Sequence, residues 1–185
     1  MFKKKFYFIL MTFEKNESYQ FYKKYHKNKI NKIIHIFCIP LIVWSFSILL
    51  HSIMFSLSTN ILVPSGDLTN SFDYVKILDV KVNLSYILLS FYLLFYTILD
   101  NSFFKPMLIF LSSIWLSSYY FLYHVPYPYF YALLINLFSW IMQFIGHGLF
   151  EGNRPALIDS IIQSFLMAPL FSYLEFKEVF CCSKT

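Results

Sequence analysis

The stretch that decides the fold runs from Ile33 to Ser56 and reads IIHIFCIPLIVWSFSILLHSIMFS. It contains no Asp, Glu, Lys or Arg. At 1.5 Å per residue, a helix of this length reaches about 36 Å, which is enough to cross the hydrocarbon core of a bilayer. Pro40 is expected to kink the helix near its start. The segment therefore predicts a first transmembrane span.

The composition of the whole chain agrees with a membrane location. Of 185 residues, 58% are hydrophobic and only 14% are charged, whereas soluble domains are about 25% charged. We therefore predict an all-α, polytopic membrane helix bundle that forms one domain, residues 1–185. Three further spans are predicted at Leu84–Leu99, Pro106–Tyr123 and Tyr129–Phe150. The more polar segment Pro155–Leu174 predicts an interfacial or re-entrant helix.

The charge distribution predicts how the chain is oriented. Residues 1–32 carry nine lysines against Glu14 and Glu17, and such an excess marks the cytosolic side of a membrane protein. Residues 57–83 are polar and are predicted to form the only long loop. With four spans, both termini are predicted to be cytosolic and this loop to be lumenal. We do not expect nucleic acid as a partner, because no folded basic domain follows the lysines.

The positions of the five histidines suggest a metal site. On this topology His26, His35 and His147 share one membrane face, and His51 and His124 lie at the other. His35 and His51 are about 24 Å apart along a helix, so one site cannot use both. Neutral imidazole suits iron or zinc. A lone interfacial histidine bonded to a carbonyl is the other interpretation, and at this point both stay open.

Helical spacing relates these histidines to polar neighbours. Asn31 lies four residues before His35, so both face the same side of a helix. His147 and Glu151 share that spacing, which offers either a ligand pair or a ligand with a supporting carboxylate. His26, nine residues before His35, is half a turn out of phase with it. A bend near Asn28 is needed for both to face one ion.

Three further residues near His147 each permit two interpretations. Gly146 and Gly148 indicate either a close approach of the backbone to an ion or substrate, or small-residue helix packing. Arg154 is suited to binding a carboxylate through two hydrogen bonds, or to anchoring the chain at lipid phosphates.

Two sequence blocks carry a family resemblance, HKNKINKIIH at residues 26–35 and QFIGHGLFEGNRPALID at residues 143–159. They resemble the signature blocks of the family of the yeast endoplasmic-reticulum 2-hydroxy fatty acid dioxygenase, long known as a membrane domain of unknown function. The resemblance extends from about Tyr19 to Glu175, although only the two blocks are specific.

The resemblance implies an Fe(II)-dependent enzyme of the endoplasmic-reticulum membrane. It would use O2 to convert a long-chain 2-hydroxy fatty acid into the acid one carbon shorter, an α-oxidation that serves breakdown of the sphingolipid base phytosphingosine. The motif histidines correspond by position to the implied metal ligands. We expect a role in catalysis for three polar residues and in substrate binding for one arginine. The predicted metal ligands are His26, His35 and His147, the catalytic residues Asn31, Gln143 and Glu151, and the substrate-binding residue Arg154.

Other classes of membrane protein fit less well. A non-catalytic lipid-binding or scaffolding protein with the same fold is the main alternative, and iron content would separate it from an enzyme. Di-iron desaturases and hydroxylases have about eight clustered histidines, whereas this chain has five. A transporter is disfavoured because the sequence has no inverted repeats and no paired broken helices.

Overall fold

The computed structural model describes residues 22–23, 26–64, 72–152 and 161–181. Within these ranges the chain is mainly helical, with one β-hairpin between the first two helices. The main elements are α1 (Lys29–His51), β1 (Met54–Pro64), β2 (Phe72–Asn83), α2 (Leu84–Leu99), α3 (Phe104–His124), α4 (Pro128–Ile145) and α5 (Ile161–Phe176). Short helical turns are formed by Asn101–Phe103, Gly146–Glu151 and Lys177–Cys181.

Three helical segments are long and apolar enough to cross a membrane: Lys29–His51, Asn101–His124 and Pro128–Glu151. They correspond to three of the four predicted spans, which identifies a membrane protein. The remaining span, α2, is confirmed as an apolar helix but has only 16 residues. A helix that crosses a bilayer usually needs about 20 residues, so the count of four spans stays a prediction.

The segment between α1 and α2 differs from the expected loop. β1 and β2 pair antiparallel, from Met54 opposite Asn83 to Pro64 opposite Phe72. The prediction of an all-α chain with a long loop at residues 57–83 holds for most of the described residues but is wrong for this segment, and α1 ends at His51 rather than at residue 56. Besides the polar residues that indicate a loop, this segment contains two runs rich in β-branched residues, ILV at 61–63 and VKILDVKV at 75–82. Such runs favour strands. The lumenal orientation of this segment remains a prediction.

Helix α1 is the centre of the bundle and packs against α2, α3, α4 and α5. Small hydroxyl side chains allow these close approaches. Ser47 hydrogen-bonds Ser85 of α2 and also Ser118 of α3, the latter at 3.2 Å. Asn136 of α4 donates to Ser45 at 3.0 Å. Polar contacts of this kind join helices in a membrane, where burial of apolar surface gives little driving force between them.

Two prolines shape the packing of α1 against α5. Pro40 and Pro169 lack the N–H that would bond the carbonyls of Ile36 and Phe165, four residues earlier. A hydroxyl from a neighbouring helix donates to each of these carbonyls: Ser172 to Ile36 at 3.4 Å, and Tyr92 to Phe165 at 3.1 Å. The predicted helix Pro155–Leu174 is confirmed as a helix from Ile161 onward, and its inner face is buried in the bundle. Residues 155–160 lie outside the described residues, and the interfacial or re-entrant position of the helix stays a prediction.

Candidate metal centre

Three histidines that are distant in sequence converge at one end of the bundle. One ring nitrogen from each of His26, His35 and His147 lies within 4.8 Å of the others. The three residues are 3%, 5% and 3% exposed. Their ring centroids are 4.3 to 4.9 Å apart. Within the chain segments that the structure covers, this is the group of His, Cys, Asp and Glu residues placed to hold a metal ion.

The spacing of the nitrogens suits ligands of one ion. The Nε2 atoms of His26 and His35 are 3.2 Å apart. Two imidazoles bound at about 2.1 Å would hold their nitrogens about 3.0 Å apart at a right angle and about 3.4 Å apart in a tetrahedron. The Nε2 of His35 is the atom placed for the ion, and its Nδ1, like that of His147, is buried without a hydrogen-bond partner among the described residues. The three residues therefore fit a metal bound through nitrogen.

The start of α1 places His26. Asn28 is the N-cap, with an extended backbone (φ −74°, ψ 130°), and its side chain accepts from the N–H of Ile30 at 2.8 Å. His26 therefore lies on the non-helical lead-in to α1. The phase difference from His35 that a continuous helix would impose does not apply to it. The expected bend near Asn28 is present. His26 Nδ1 donates to the carbonyl of Tyr22 at 2.8 Å, which leaves Nε2 with the lone pair.

Burial keeps His26 in the form that binds metals. Removal from water lowers the pKa of His26 to about 3, against the opposing effect of its bond to the Tyr22 carbonyl. A buried imidazole in this environment is neutral at physiological pH, and neutral imidazole is the form that ligates a metal.

A turn of wider helix places His147. α4 ends at Ile145, and Gly146–Glu151 continue as π-helix, a geometry often found at functional sites. A Cβ added at Gly146 would lie less than 3.0 Å from Asn31 Oδ1, whereas one at Gly148 would meet nothing within 4 Å. Close backbone approach therefore applies at Gly146, and the group approached is Asn31.

Glu151 joins this π-helical turn to the start of α1. Its Oε1 accepts from the N–H groups of Lys27 and Asn28 at 2.6 and 2.7 Å, and from Asn31 Nδ2 at 3.2 Å. A carboxylate at a helix N-terminus is favoured by the helix dipole. In the structure Glu151 thus holds the segment that carries His26, and it is not among the clustered metal-binding groups. The catalytic roles expected of Glu151 and Asn31 stay predictions.

Gln143 lies one helical turn before His147 and is 6% exposed. Its Nε2 is buried without a partner among the described residues, and the side chain lines a cavity that also borders all three histidines. An unpaired buried donor is costly, and the catalytic role expected of Gln143 stays a prediction. Arg154 lies outside the described residues.

Two supporting residues were not found from the sequence. Glu175 of α5 is 1% exposed and accepts from the hydroxyl of Tyr22 at 2.9 Å. The ring of Tyr22 stacks on His26 at 3.7 Å. Burial raises the pKa of Glu175 to about 7, against the opposing effects of the Tyr22 bond and Lys32. One signal was available, because a lone carboxylate in an apolar segment of a membrane protein usually has a partner.

The other two histidines have separate surroundings. His51, at the far end of α1, packs its ring edge to face with Tyr119 at a centroid distance of 5.6 Å. The Nδ1 of His124 donates to the carbonyl of Tyr120 at 2.9 Å. Neither belongs to the three-histidine cluster, in agreement with the sequence analysis.

Comparisons with known proteins identify the family. Residues 12–179 match the family model described as 2-hydroxy-palmitic acid dioxygenase Mpo1-like. The 2-hydroxy-palmitic acid dioxygenase MPO1 of Saccharomyces cerevisiae is 32% identical over 156 residues, which cover 84% of this chain and 75% of the yeast protein. No solved structure matches the chain. The chain therefore belongs to the 2-hydroxy-palmitic acid dioxygenase Mpo1-like family.

Proposed function

We propose that this protein is an Fe(II)-dependent dioxygenase that shortens long-chain 2-hydroxy fatty acids by one carbon. The observation that carries the proposal is the convergence of three buried histidines at the polar end of an otherwise apolar cavity. Similarity to a protein named as a 2-hydroxy-palmitic acid dioxygenase supports this substrate class. The balanced reaction converts R–CH(OH)–COOH and O2 into R–COOH, CO2 and H2O, so it needs no additional reductant.

The donor set suits this substrate. His26, His35 and His147 would hold the ion with three neutral nitrogens, which leave its double charge uncompensated and several coordination positions open. A 2-hydroxy acid offers a carboxylate and a hydroxyl that can chelate such an ion. When bound, Fe(II) would supply the redox chemistry that lets O2 react with an organic substrate.

The surrounding residues bind and orient the substrate. Gln143 donates its unpaired amide N–H to a substrate oxygen, which satisfies a buried donor. The apolar walls of the cavity exclude water and hold the acyl chain. Asn31 and Glu151 hold the lead-in to α1 against the π-helical turn, so that His26 and His147 face the same point. We further propose that turnover takes place at the membrane of the endoplasmic reticulum. As the family resemblance implies, the reaction would serve breakdown of the sphingolipid base phytosphingosine.

Oxygen uptake by purified protein tests the proposal. With Fe(II) and a long-chain 2-hydroxy acid in detergent, we expect one molecule of the shortened acid for each O2 consumed. Single alanine substitutions at His26, His35 and His147 should each abolish turnover and iron binding, and double substitutions should be no worse. His124→Ala is the matched control and should retain both. Wild-type protein that binds no iron and consumes no O2 would favour the non-catalytic lipid-binding alternative.

A further inference from the structure

We propose that the substrate's acyl chain leaves the site sideways, through a gap between α4 and α5, so that only its first few carbons lie inside the protein. This inference rests on the proposed function and adds to it how the chain is accommodated. It follows from the position, size and walls of the cavity beside the three histidines.

The cavity is polar at one end only. His26, His35, His147 and Gln143 lie at that end, and the walls beyond are mainly apolar side chains of α1, α4 and α5. Along α1 the lining passes from His35 to Val43, about 12 Å of helix. A ligand with an anionic head and a hydrocarbon tail matches this division, with its head at the histidines.

The cavity is too small for a long chain. Its volume is about 110 Å³, and an apolar cavity of about 150 Å³ holds one benzene ring. By the same measure, this cavity has room for about four carbons. The rest of a palmitoyl-length tail must therefore lie elsewhere.

The packing of the helices provides the exit. α4 and α5 each pack against α1 but, in the parts of the chain that the structure describes, make little contact with each other, so α1 forms the floor of a gap between these two helices. Phe144 on α4 and Phe165 on α5 line the cavity, and they are also 50% and 40% exposed. Both rings therefore reach from the cavity to the apolar surface of the bundle. A tail that passes between them enters the lipid.

A lateral exit predicts weak selection for chain length. A methylene that lies in lipid both before and after the substrate binds adds no binding free energy. One that must fit a closed pocket changes specificity by about tenfold or more. For 2-hydroxy acids of lauric to arachidic length, at equal mole fraction in bilayer nanodiscs, kcat/KM should vary by less than about tenfold in total. A sharp optimum at one chain length would overturn the proposal.

Two variants change the gap in opposite ways. Ala168→Leu adds bulk to the α5 wall of the cavity and should lower kcat/KM for long-chain substrate by about tenfold or more without changing iron content. Phe165→Ala widens the mouth and should lower kcat/KM for long-chain substrate less than Ala168→Leu does. Phe138→Ala is the matched control, because this ring is 57% exposed on α4 and does not line the cavity. If Ala168→Leu retained both iron and wild-type kinetics, the tail would not pass there.

Photolabelling separates this inference from the proposed function. The probe is a 2-hydroxy acid with a diazirine in mid-chain, and the expected labels are on Phe144 and Phe165, displaced by excess unmodified 2-hydroxy acid. Such labelling without any oxygen uptake would support the exit and contradict the enzymatic reaction. Oxygen uptake without displaceable labelling at these residues would contradict the exit alone.

Discussion

Replacing Gly146 by alanine tests the contact that brings His147 against α1. The added Cβ would lie less than 3.0 Å from Asn31 Oδ1, where ordinary contact begins at 3.4 Å. Asn31 cannot turn away freely, because its Nδ2 donates to Glu151. Either the turn that carries His147 must shift, or this hydrogen bond must break.

Either response lowers the free energy of unfolding. Forcing an extra methyl into a packed site costs about 1–3 kcal/mol, and losing a hydrogen bond to a charged group costs about 1.5–3 kcal/mol. Because only one of these two responses is needed to remove the clash, Gly146→Ala should lower the free energy of unfolding by about 1–3 kcal/mol. Gly148→Ala meets nothing within 4 Å and should gain about 0.5–1 kcal/mol from helix propensity. The two variants should therefore differ by about 1.5–4 kcal/mol.

Thermal unfolding in detergent and iron content measure this difference. At about 2–4 °C per kcal/mol for a chain of this size, Gly146→Ala should unfold at least about 3 °C below Gly148→Ala. It should also bind iron about 10–100-fold more weakly, as is typical when groups that orient ligands are disturbed. In an Asn31→Ala background the cost of Gly146→Ala should largely disappear. Equal behaviour of the two glycine variants, or an equal cost in both backgrounds, would refute the reasoning.

Three further predictions use the surrounding contacts. The raised pKa of Glu175, about 7, means that its contribution to stability is present below the unfolded pKa and lost as the pH rises through 7. As the pH rises from about 5 to about 8, the unfolding temperature of Glu175→Gln should therefore decrease less than that of wild type. An equal decrease in both proteins would show that another group causes the pH dependence. Glu151→Gln should lower stability by about 1–3 kcal/mol and weaken iron binding less than the histidine variants; equal severity, measured as bound iron, would indicate direct ligation. His51→Ala should leave the iron content unchanged, and its loss in a folded variant would show that the ligand set is wrong.

Much of the bundle could be predicted because its signal is local. Long runs without charge, such as Ile33–Ser56, identify a span wherever they occur. The hairpin is harder to predict, because polar residues are interspersed with its β-branched ones and because strand pairing depends on a partner that local composition does not reveal. Its position between two helices of a membrane bundle also favoured a simple loop.

The candidate site was partly predictable for the same reason. The histidines were found from two motifs and a shared membrane face. The bend at Asn28 was also foreseeable, since asparagine is a preferred N-cap. The contacts of Glu151 could not be predicted, because they join residues 124 positions apart. Helical spacing related Glu151 to His147 instead, and no local pattern distinguishes a carboxylate that supports a ligand from one that caps another helix.

The separation of the three histidines along the chain also sets an order for biogenesis. His26 and His35 flank the start of the first span, whereas His147 follows the last long helix, 112 residues after His35. At about 5–20 residues per second, a ribosome needs about 6–22 s to make that stretch. During this time the nascent protein carries only two of the three imidazoles. On the proposed function, binding of the ion is therefore a late maturation step, because a chain interrupted before the last long helix lacks His147.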